Sequence, residues 1–90
     1  METETSNIGQ VCVKIALRAA CAYLKEHKLT ADDEPLFACV RSWCEIKLPE
    51  AITDYKDACD CGMEQIGQKS FLATMALAGI EAAKEAGKSN

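Results

Sequence analysis

Met63, Ile66, Ser70, Ala73, Leu77 and Ile80 recur at alternating three- and four-residue steps, the period of a helix stripe that faces a neighbour. From Phe71 to Ile80 the apolar character spreads beyond that stripe, because Phe71, Leu72, Met75, Ala76 and Ala78 point elsewhere around the same helix. A segment that is apolar on every side has to be covered on every side. The pattern therefore predicts a helix near residues 63–86 at the centre of a bundle, sheathed by amphipathic helices.

Three such helices are readable upstream. Ile8, Cys12, Ile15, Ala16, Ala19, Ala22 and Tyr23 give the inward face of a helix near 7–28, with Asn7 as its cap and Gln10 as the reciprocal partner of a capping box. Lys14, Arg18, Lys25 and Lys28 fall on the other side within roughly 80° of one another, with Cys21 among them. After a turn at 29–33, Asp32, Asp33 and Pro35 start a helix near 34–47. Its polar strip is narrow (Arg41, Ser42, Glu45), and Leu36, Phe37, Cys39, Val40, Trp43, Cys44 and Ile46 make a wider apolar side than one neighbour requires.

Leu48-Pro49 predicts the end of that helix, since the residue before proline is pushed out of helical geometry, and Pro49 then opens a helix near 50–61. Ile52, Tyr55 and Cys59 point inward, while Glu50, Asp54, Asp57 and Glu64 form an acidic ridge with Cys61 among them. An unbroken helix from Glu50 to Ala86 would be ~55 Å long, too long for so small a domain, so a break is placed at Gly62. Residues 1–6 are expected to be a disordered tail and 87–90 a frayed one. The fold class is all-α: a single-domain four-helix bundle over 7–86 with the last helix central.

Composition acts mainly by exclusion. Ninety residues bury only a little over ~60% of their unfolded-chain surface. A net charge of −4 argues against direct nucleic-acid binding and against a membrane surface. The opening METETSNIGQ has neither the basic nor the apolar region of a secretory signal. Phe71 to Ile80 is about half the ~20 residues of a membrane span. The expected location is the cytoplasm, where the six cysteines stay reduced. Spacings of nine (Cys12, Cys21), five (Cys39, Cys44) and two (Cys59, Cys61) put no pair on a shared helix face. Cys39 and Cys44 alone have the C-x₂₋₄-C form of a structural zinc site, and no second such pair accompanies them, so no metal and no cofactor is expected.

Catalytic patterns fare no better. Gly62 to Ser70 resembles a phosphate loop, but Gln68 is inserted between the second glycine and Lys69, and no strand precedes it. His27 and Cys21 are six residues apart, about 120° in azimuth, which is out of reach for a Cys–His pair. The acidic ridge lacks the loop spacing of a calcium site. What is left predicts a non-enzymatic protein–protein interaction module, an adaptor or inhibitor, whose partner meets Phe37, Trp43, Ile46, Glu50, Asp54, Asp57 and Glu64. Two alternatives stand beside it. Cys21 and Cys61 are the candidate reactive thiols of a redox or metal-handling protein. An accessory or dimerising subunit is the other, with a homodimer through helix 2.

Overall fold

A computed structural model describes the backbone from Thr3 to Ser89 and the side chains from Gly9 to Ser89. It is all-α with three helices instead of four: α1 (Thr3–Glu26), α2 (Asp33–Asp60) and α3 (Glu64–Ala86). Two short strands, β1 (Leu29–Thr30) and β2 (Lys88–Ser89), pair antiparallel, Leu29 opposite Ser89 and Thr30 opposite Lys88. None of the helices is long and apolar enough to cross a membrane among the described residues.

The expected boundary at Pro49 is absent, because α2 runs straight through it. Cys44 and Ala51, seven residues apart and both buried, keep one face of α2 on the core across the proline. Pro49 and Glu45, whose carbonyl loses its donor, are both exposed, so water can take the missing bond. The break at Gly62 is found: Gly62 adopts φ +78 between α2 and α3, a left-handed conformation that favours glycine.

The ends differ from expectation as well. α1 begins at Thr3, so Asn7 and Gln10 lie inside the helix and not at its start; of the proposed disordered tail, Met1 and Glu2 lie outside the described residues. It closes at Glu26, where Lys28 turns left-handed at φ 57. Asp32 stands at the N-cap of α2 without a side-chain cap bond, and its carboxylate meets Lys88 Nζ at 3.7 Å. Gly87, extended at φ −71 and ψ 145, sends Lys88 and Ser89 alongside Leu29 and Thr30. That part of the tail is therefore paired, while Asn90 lies outside the described residues.

α1 and α3 run parallel, Ala16 lying against Gly79 and Leu24 against Gly87, and α2 runs antiparallel to both. The seam is built from small residues. Cys12, Ala16, Ala20 and Leu24, each four apart, are buried on α1; Gly67, Met75, Ala78, Gly79, Ala82, Ala83 and Ala86 are buried on α3. Backbones consequently touch. A Cβ placed on Gly79 would collide with the Ala16 carbonyl oxygen and come within 2.6 Å of its carbon. One placed on Gly67 would meet the Ala58 Cβ at 2.8 Å. α2 contributes Leu36, Val40, Cys44 and Ala51 to the same core.

Both other helices pack on α3, so it is the shared element, yet it is not sheathed all round. Met63, Ile66, Ser70, Ala73 and Leu77, the expected inward stripe, are exposed, and Ile80 is half-buried. The physical reason is fit: a helix can approach another closely only through its smallest residues, and those form the opposite face of α3. The inward faces of α1 and α2 are rotated for the same reason. Ala22 and Cys59 are exposed, and Ala20, Leu24 and Ala51 are buried in their place. The side chain of Ile8 lies outside the described residues.

Candidate functional site

An open cleft of about 670 Å³ lies between the three helices, beside the N-terminal half of α3. Val11 and Ile15 of α1, Ile52 and Tyr55 of α2, and Phe71 and Leu72 of α3 form its walls, with buried Cys12 beside them. Tyr55 and Phe71 meet edge to face, ring centroids 6.3 Å apart. Large side chains stand open here: Val11 is 52% exposed and Leu72 49%. Lys56 and Gln68 supply the polar rim. The volume falls in the range of ligand-binding clefts, but almost nothing polar converges inside it.

A second, more polar recess of about 600 Å³ lies on the other side of α1, bounded by Val13, Leu17, Phe37, Arg41, Cys44 and Leu48 among others. There the Arg41 guanidinium sits 5.7 Å from the Phe37 ring centroid, a cation–π contact that occupies the exposed aromatic face.

The residues singled out from the sequence do not gather in one place. Phe37 and Ile46 are both exposed, but nine residues of helix put them about 180° apart. Trp43 is half-buried against the core. Helical spacing instead aligns Ile46 with Glu50, Asp54 and Asp57, all exposed. Glu64 leaves that ridge, because it lies beyond the Gly62 turn in the first turn of α3, where its charge acts on Tyr55. The cleft itself was missed in the sequence, since Val11 and Leu72 had no reason to be left uncovered. The only available signal was the apolar excess around Phe71 and Leu72 on a helix whose neighbours are too few.

The thiols divide by position. All six are free. Cys21, Cys59 and Cys61 are exposed; Cys12 and Cys44 are buried, with the Cys44 thiol donating to the Cys12 carbonyl oxygen at 3.7 Å. Burial pushes the Cys12 thiol up, and burial followed by the neighbouring Cys12 pushes Cys44 up to about 11. Cys39 is raised too, by desolvation and then by Glu85. Hydrogen bonding to Cys59 leads the causes that raise Tyr55. His27 stacks on Tyr23, ring centroids 4.2 Å apart. Among the described residues, no three His, Cys, Asp or Glu side chains are grouped to hold a metal ion.

A testable consequence follows for the buried pair. Thiol alkylation of native protein is expected to reach Cys21, Cys59 and Cys61 first and Cys12 and Cys44 only on unfolding. The Cys44 thiol keeps its proton longer in the folded chain than in the unfolded one. Its contribution to stability is thus intact below the ordinary thiol range and lost as pH rises to about 11. The melting temperature should fall through that alkaline window, and less so in Cys44→Ala. Equal alkylation rates at all six cysteines would contradict this placement.

No known protein family, curated protein or solved structure matches the chain.

Proposed function

We propose that the chain is a small, cytoplasmic, non-enzymatic protein–protein interaction module, an adaptor or inhibitor, and that its partner docks in the three-helix cleft. The observation that carries this reading is the cleft's lining: large hydrocarbon side chains left open to solvent, with only Lys56 and Gln68 at the rim. Chemistry at such a site would need convergent polar groups with displaced pKa values suited to proton transfer. The groups displaced here are thiols and a phenol raised toward their neutral forms. A trough between helices suits the apolar edge of an amphipathic helix from another protein. An acid flanking that edge would meet Lys56. The Glu50, Asp54 and Asp57 ridge lies well round α2 from Lys56 and forms a separate surface, with Ile46 at its head.

A photoreactive side chain at Gln68 tests this in the source cell. The expected outcome is one discrete heterologous adduct, lost when Ile52→Asp or Leu72→Lys puts a charge in the cleft. Diffuse labelling, or an adduct with a second copy of the chain, would refute it.

A further inference from the structure

We propose that the outer face of α3 pairs antiparallel with the same face of a second copy of the chain. Met63, at the N-cap of α3, and Ile66, Ser70, Ala73, Leu77 and Ile80 lie within about 100° of one another around the helix. They alternate three and four residues apart, the spacing of a coiled-coil seam. Met63 is 48% exposed, Ile66 61% and Leu77 51%. α1 and α2 both pack on the opposite side of α3, so Met63, Ile66, Ser70, Ala73 and Leu77 are exposed and Ile80, at the edge of the seam, is half-buried.

The occupant is a second copy because the seam complements its own reverse. Turning one helix end for end sets Met63 against Ile80, Ile66 against Leu77 and Ser70 against Ala73. Large residues then meet large ones at both ends, and small ones meet at the middle, where two helices cross most closely. The helix dipoles favour the same orientation. Lys84 continues the stripe one turn beyond Ile80, in the last turn of α3, where it meets Glu81 at 3.8 Å. Antiparallel pairing opposes the helix dipoles and holds the two Lys84 side chains at opposite ends of the pair. Parallel pairing would align the dipoles and set Lys84 beside Lys84. The cleft faces away from this seam, so a partner helix and a second copy can be held together.

Sedimentation of the full chain over a concentration series is expected to show a monomer–dimer equilibrium. Leu77→Glu places a charge against an apolar layer and should weaken association about tenfold or more; Ile66→Lys should do the same. Because positions 66 and 77 face each other across the antiparallel pair, the double variant sets opposite charges together in both symmetric layers. It should regain about tenfold over either single change. In a parallel dimer it would place like charges together twice and associate least of all. Circular dichroism confirms that each variant is folded, as expected for changes at exposed positions. A wild-type chain that stays monomeric throughout, a dimer indifferent to Leu77→Glu, or a double variant no better than the singles would overturn the proposal. None of these results touches the Gln68 cross-linking test.

Discussion

Replacing Gly79 by alanine is expected to lower stability by about 2–3 kcal/mol, although alanine is the better helix former by ~1 kcal/mol. The added methyl would run into the Ala16 carbonyl, with its carbon at 2.6 Å and the Ala16 Cα at 2.9 Å. Backbone atoms in mid-helix cannot swing aside as a side-chain end can. α1 and α3 must therefore separate, and the contacts of Ala20, Ala82 and Ala83 loosen with them. At 4–8 °C per kcal/mol for a domain of this size, the melting temperature should drop by roughly 10–20 °C. An alanine variant that melts at or above the wild type would show that the two backbones do not touch here.

Pro49→Ala should act in the opposite sense. A proline in a helix interior costs ~3 kcal/mol through its missing N–H and its clash with the carbonyl four residues back. Part of that is offset, since proline also restricts the unfolded chain by ~0.4–1 kcal/mol. A net gain of about 2 kcal/mol is expected, because α2 is continuous through this position and α2 residues on both sides are already packed. Thermal denaturation reads it directly. If α2 were instead two helices meeting at Pro49, alanine would bring no gain, as the chain there would not be helical to begin with.

Pro49 is also a point where local pattern and the folded chain part. The all-α class and the turn at Gly62 were legible because periodicity and glycine act locally. Pro49 reads as a helix boundary because its penalty is local, but its compensation is not: burial of Cys44 and Ala51 on either side holds the helix together. The stripe on α3 reads as inward and lies outward for a related reason. Hydrophobicity ranked Ile66 and Leu77 above Ala78 and Gly79, whereas the helices of this chain pack through what is small. Within the candidate site, Tyr55 and Ile52 were recognised as apolar positions, but the cleft depends on how far α1 stands from α2. No periodicity encodes that spacing. The outward placement of Cys21 and the burial of Cys12 could be read because both follow from position on a single amphipathic helix.

The little β1–β2 ladder has a practical bearing. It anchors the end of the chain beside the link between α1 and α2, while the cleft opens near Phe71, some seventeen residues earlier along α3. At 1.5 Å per residue that is a distance of ~25 Å. A fluorophore or affinity handle appended after Asn90 would hang from the pole remote from the docking trough, whereas one joined ahead of α1 would start from the pole where the trough opens.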